Sequence, residues 1–181
     1  MKPINAFINE QAVNNASAQG YVKPVDDLMT SFRKSITNLL RRSKDICVLI
    51  LSSGATNDTR DKQYLKHLIN IANENNLDIY NIAAPDVFTQ ISSVDELECK
   101  GPHISLNDAF DLFESHGDKD YEYCILIYDG QNTGDIPNEF KPHVVVYSYY
   151  PEGYKEYYVL DSTTKNSAFK KSVGAYYFPK Q

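Results

Sequence analysis

Two short, unbroken apolar runs constrain this chain more than any other feature: Ile46-Cys-Val-Leu-Ile-Leu51 and, after Glu122, Tyr123-Cys-Ile-Leu-Ile-Tyr128. A strand with one wet face alternates apolar and polar residues, whereas a run with no polar break needs cover on both faces. That is the environment of a strand inside an α/β sheet. Both runs are rich in branched or aromatic side chains, which favours strand over buried helix. Each is followed by turn chemistry: Ser52-Ser53-Gly54-Ala55-Thr56-Asn57-Asp58-Thr59 after the first, and Asp129-Gly130 with Asn132 and Gly134 after the second.

Helical periodicity supplies the cover. Leu28, Phe32, Ile36, Leu39 and Leu40 recur every three or four residues, so the spacing predicts a helix capped by Asp26 or Asp27 and ending near Ser43. Leu65, Leu68, Ile69 and Ala72 make a second stripe that stops at Asn75-Asn76. A short strand is expected over Asp78 to Ala83, and Pro85 with the polar stretch from Thr89 to Pro102 reads as a long connection. Ser105 then caps a third helix, with Asp108 as its third-position partner, and Gly117 stops it after Phe113. Past Pro142 the pattern turns β-rich. His143 to Tyr150 and Glu156 to Asp161 flank Pro151-Glu152-Gly153, which is hairpin chemistry, and Ala175 to Phe178 is a candidate edge strand ended by Pro179.

The expected fold is therefore a single α/β domain over residues 26–181. Its sheet is mixed, parallel in the first half and closed by an antiparallel hairpin, with flanking helices. A length of 181 residues suits one such core. Residues 11–25 are small and polar without sustained period and read as a flexible arm.

Charge and cysteine content narrow the function. The net charge is −6, which does not support generic nucleic-acid binding. Cys47, Cys99 and Cys124 show neither metal spacing nor a disulfide framework. His67, His103 and His116 have no ligand-like spacing, so no metal and no cofactor are expected. No apolar run is long enough to cross a bilayer, and no membrane partner is expected.

The first ten residues, Met1-Lys2-Pro3-Ile4-Asn5-Ala6-Phe7-Ile8-Asn9-Glu10, read as a removable leader. They open Met-Lys, carry Phe7-Ile8 near their end, and finish on Ile8-Asn9-Glu10. In these respects the stretch resembles the capsid-targeting leaders of internal head proteins in T-even-type bacteriophages. That resemblance implies cleavage between Glu10 and Gln11 by the phage prohead protease, packaging through the prohead core, and a place in the capsid interior. It further implies delivery with the DNA into the host cytoplasm, where the body would act as a binding module on a host protein. Packaged internal proteins are often basic, and this acidic chain departs from that pattern, which argues against DNA condensation. An alternative for the same leader is the N-terminal secretion signal of a bacterial effector.

Three candidate sites lie in the body. His143 and Asp161, at the ends of the expected hairpin arms, resemble the His and Asp of papain-like and transglutaminase-like cysteine hydrolases, in which the carboxylate orients the imidazole that activates a thiol. Cys99 would be the nucleophile, although it lies too far ahead of the Ser105 cap for the usual helix-start placement. Ser52, Ser53, Gly54 and Thr56 form a hydroxyl-rich strand-to-helix loop of the kind that can hold an anion. It lacks both the Lys of a phosphate-binding Walker loop and the triple-Gly dinucleotide pattern. Finally, Tyr147, Tyr149, Tyr150, Tyr154, Tyr157, Tyr158, Tyr176 and Tyr177 cluster late in the chain. They could offer an aromatic strip to a protein partner or simply fill a β-rich core.

Overall fold

The computed structural model describes residues 25–117, 119–129, 131–149 and 155–160. In chain order the elements are α1 (Val25–Leu40), β1 (Ile46–Leu51), α2 (Thr59–Glu74), β2 (Asp78–Ala83), β3 (Val87–Gln90), α3 (Leu106–His116), β4 (Tyr123–Tyr128), β5 (His143–Tyr149) and β6 (Lys155–Leu160). They build one mixed sheet in the order β3-β2-β1-β4-β5-β6. β1 runs parallel to both β2 and β4, and β4 parallel to β5. The edge pairs β2–β3 and β5–β6 are antiparallel.

Burial explains the unbroken runs. Every residue of β1 and of β4 is buried. Successive side chains of a strand point to opposite faces, so each run divides between two cores. Ile46, Val48 and Ile50, with Ile125 and Ile127, join Phe32 and Ile36 of α1 and Leu65, Leu68 and Ile69 of α2. Cys47, Leu49 and Leu51, with Cys124 and Leu126, join Ala109, Phe110 and Phe113 of α3. The result is three layers, α1 and α2 on one face and α3 on the other. Right-handed crossovers require this division, because the chain leaves β1 in one direction to reach β2 and returns past it to reach β4.

Local chemistry sets the helix ends. Asp58 caps α2, its Oδ1 accepting from the N–H groups of Arg60 at 2.8 Å and Asp61 at 3.2 Å. Ser105 caps α3 by accepting from Asp108 N–H at 3.1 Å. Gly117 ends α3 with its own N–H on Phe113 O at 2.8 Å. α1 differs from expectation at both ends: it begins at Val25, which puts Asp26 and Asp27 inside it, and it stops at Leu40 rather than near Ser43.

Within the stretch expected to be a plain connection, the structure forms β3 and a 3-10 turn at Val94–Glu96. Residues 1–24 and 161–181, and with them the strand expected at Ala175 to Phe178 and all of the expected arm except Val25, which belongs to α1, lie outside the described residues. No helix among the described residues is long and apolar enough to cross a membrane.

A polar clamp holds the amino-terminal edge of β2. Asp78 Oδ2 accepts from Tyr121 Oη at 2.6 Å and from Lys119 Nζ at 2.9 Å, and Oδ1 accepts from Gln90 Nε2 at 3.3 Å. Burial pushes the Asp78 carboxyl upward, but these donors and the Lys119 charge outweigh it and hold the pKa below the ordinary carboxylate value. A group with a lowered folded pKa contributes stability that is complete above its unfolded pKa of about 3.9 and fades as pH falls through the folded value. Asp78→Asn should therefore flatten the acid side of the stability profile. Urea unfolding between neutral pH and pH about 3 reads this directly, and parallel acid slopes for wild type and variant would refute it.

Candidate functional site at the carboxyl ends of the sheet

In an open α/β sheet, ligands settle outside the carboxyl ends of the strands, at the point where the strand order reverses. Here that point lies between β1, which leads outward to β2, and β4 on its other side. Two loops meet there: 52–58 after β1 and 129–142 after β4. The segment 98–105, which leads into α3, packs against both.

The first loop is closed on itself. Ser53 Oγ accepts from Ala55 N–H at 3.1 Å, and Thr56 Oγ1 accepts from Ser53 N–H at 2.9 Å, a reciprocal capping box around a short 3-10 turn. Ser52 N–H donates to Ile82 O, Gly54 N–H to Gly101 O, Thr56 N–H to Ser53 O and Asn57 N–H to Gly54 O. Ser52 Oγ donates to Glu98 O at 2.6 Å. Every backbone N–H from residue 52 to 57 thus has an acceptor within the protein, and Ser52, Ser53 and Thr56 are buried. A cradle built from backbone needs free N–H groups, and residues 52–57 present none. The hydroxyl-rich sequence that suggests an anion site serves instead to fasten the loop.

Asn81 is the fastener beneath it. This fully buried side chain on β2 donates through Nδ2 to Ile50 O at 3.1 Å and to Ser52 Oγ at 2.8 Å. Its Oδ1 accepts from Glu98 N–H at 2.8 Å. One amide thereby ties β1, β2 and the 98–101 segment together at the carboxyl end.

The second loop carries the titratable pair. Asp129, directly after β4, is 6% exposed, and its Oδ2 lies 2.8 Å from Nε2 of His103. Its Oδ1 accepts from Gln131 N–H at 3.0 Å. Asn132 Nδ2 donates to Ile104 O at 2.6 Å, while the buried Asn132 Oδ1 has no hydrogen-bond partner among the described residues. The loop is then stitched to the start of α3 by Leu106 N–H to Thr133 O at 2.7 Å and Asp135 N–H to Asn107 Oδ1 at 2.9 Å. Gly134 sits at φ +86, in the left-handed region that glycine occupies without strain. Phe140 seats the far part of the connection edge-on against Phe110, with ring centroids 4.6 Å apart.

The residues of the expected thiol site are not gathered. Cys99 lies at the carboxyl edge, between Glu98 and the Gly101 that binds Gly54. His143 opens β5 at the amino-terminal edge, where its N–H donates to Glu122 O at 2.9 Å and its ring lies against Tyr123. A six-residue strand such as β4 separates the two edges by roughly 17–20 Å. Asp161 lies outside the described residues. Burial also pushes the Cys99 thiol upward, Lys62 opposing and Glu98 adding to it, so the reactive thiolate is disfavoured. Cys47 and Cys124 are free core thiols, register partners on β1 and β4, with sulfurs 3.3 Å apart.

No group of three or more His, Cys, Asp and Glu among the described residues is placed to hold a metal ion. Of the late tyrosines, Tyr147 and Tyr149 fall on β5 and Tyr157 and Tyr158 on β6, while Tyr150, Tyr154, Tyr176 and Tyr177 lie outside the described residues. Comparison with protein-family models, curated proteins and solved structures gives no match to this chain.

Proposed function

We propose that this chain is an internal head protein of a bacteriophage, packaged through residues 1–10, cut after Glu10 by the prohead protease, and delivered with the DNA to bind a host protein. The observation that carries the reading is the Met1-Lys2 opening and the Ile8-Asn9-Glu10 ending of that stretch. The fold is compatible with such trimming, since every described element begins at Val25 or later and none would be lost with the leader. The acidic net charge of −6 favours a delivered binding module over a DNA-condensing protein. The cysteine hydrolase alternative, built on Cys99, His143 and Asp161, gains no support from the separation of Cys99 and His143.

Deleting residues 2–10 separates targeting from folding. The shortened chain should keep the urea midpoint of the mature body and yet be missing from purified heads. Its presence in heads at wild-type amounts would end the proposal.

A further inference from the structure

We propose that Cys47 and Cys124 are a modification site, a thiol pair that hydrogen peroxide converts to a disulfide joining β1 to β4 and locking the centre of the sheet. This site belongs to the folded body and is independent of the leader and of any packaging role.

Topology brings the two thiols together. Cys47 and Cys124 are register partners on neighbouring parallel strands. Both are fully buried in the core on the α3 side of the sheet, and their sulfurs lie 3.3 Å apart in a thiol–thiol hydrogen bond. Paired strands run about 4.7–4.9 Å apart, and the Cα atoms of a disulfide usually lie about 4.4–6.8 Å apart, so the strand spacing itself admits the bond. The other register pairs of β1 and β4 are all aliphatic or aromatic.

The sheet also makes the pairing unique. Cys99, the remaining free thiol, packs against the core on the α1 and α2 side, so β1 and β4 themselves stand between it and the other two. Within one folded chain a disulfide can therefore form only between Cys47 and Cys124. It would close a loop spanning 77 residues, which contains α2, β2, β3 and α3, and would restrict the unfolded chain accordingly.

The chemistry balances as two thiols and one peroxide giving one disulfide and two waters. One thiolate attacks a peroxide oxygen, the O–O bond breaks, and hydroxide leaves to take up that thiol's proton, so the sulfur becomes a sulfenic acid. The second thiolate attacks this sulfur, the S–S bond forms, and hydroxide leaves with the second proton as water. Both sulfurs are oxidised and both peroxide oxygens reduced. Burial, and after it the hydrogen bond with Cys124, pushes the Cys47 thiol well upward, so the thiolate is scarce and conversion is slow. The same burial shields the finished bond from thiol reductants. In a compartment that keeps thiols reduced, such a pair responds to sustained peroxide and not to a brief pulse.

The test uses the full-length protein, as wild type and as Cys99→Ser, which keeps only the buried pair. Each is held in hydrogen peroxide under native conditions, quenched with catalase, unfolded in urea with iodoacetamide and digested. Mass spectrometry should find peptides linked through Cys47 and Cys124 in both proteins, and the intact Cys99→Ser chain should weigh about 2 Da less and take up no iodoacetamide. The urea midpoint of oxidised Cys99→Ser should rise by at least about 1 M over the reduced form. Dithiothreitol should cleave the bond at least tenfold faster in urea than under native conditions. The proposal is overturned if both thiols are still alkylated after prolonged peroxide, or if the disulfide includes Cys99 or joins two chains. A midpoint that stays or falls, or equal cleavage with and without urea, overturns it as well.

Discussion

Asn81→Ala is expected to lower the unfolding free energy by about 2–4 kcal/mol and to loosen the carboxyl-end loops before the rest of the sheet. Three hydrogen bonds converge on this fully buried amide, and truncation leaves Glu98 N–H and Ile50 O without it. The cost is dominated by groups left unpaired in a dry interior, because net hydrogen-bond gains are modest while buried orphans are expensive. Asn81→Asp keeps the shape and the acceptor for Glu98, but at neutral pH it sets a carboxylate oxygen against Ile50 O. It should be at least as destabilising as the Ala variant. Urea unfolding measures both, and amide exchange should show faster opening at Glu98, bonded to Asn81, and at Gly54, bonded to Gly101 O. A loss below about 0.5 kcal/mol, the scale of an ordinary surface substitution, would contradict the role assigned to Asn81.

Phe110→Ala should cost about 3–5 kcal/mol, the range for a large aromatic removed from a core that cannot collapse around the gap. Phe110 is 1% exposed on the inner face of α3 and meets Phe140 edge-on. Phe140 in turn anchors the connection from β4 to β5, so the void would open beside the segment that carries Asn132 and Thr133. Phe110→Leu, which refills part of the volume, should recover more than half of the loss. If Ala and Leu variants unfold at the same urea concentration, the packing account of this face is wrong.

Much of the sheet was legible because its centre has an unambiguous signature. The runs at 46–51 and 123–128 can be satisfied only by cover on both faces, and both became fully buried parallel strands. The Ser105 cap and the Gly117 stop were equally plain, since each acts through its immediate neighbours. β3 was not legible: Val87–Gln90 is a short edge strand with two exposed residues, and its pairing with β2 is a tertiary event that leaves no periodicity.

The candidate site was mostly hidden for a related reason. His103 and Asp129 belong to loops far apart in sequence, and Asp129-Gly130 is indistinguishable from an ordinary turn. What could have pointed to it is position: Asp129 is the first residue past a fully buried strand, at the carboxyl end that open α/β sheets use for ligands. The 52–56 loop misled in the opposite way. Sequence shows that hydroxyls and a glycine are present, but not that each backbone N–H from residue 52 to 57 is already bonded to a neighbour. Spacing likewise could not reveal that Cys99 and His143 fall at opposite edges, because that depends on β4 and β5 running parallel.

The proposed role of the chain rests on its first ten residues, and mass spectrometry of protein extracted from purified phage heads tests that role most directly. The expected result is a mature form whose N-terminal peptide begins at Gln11, with no molecule retaining Met1 to Glu10. Heads that lack the protein, or that contain only the uncut chain, would contradict it.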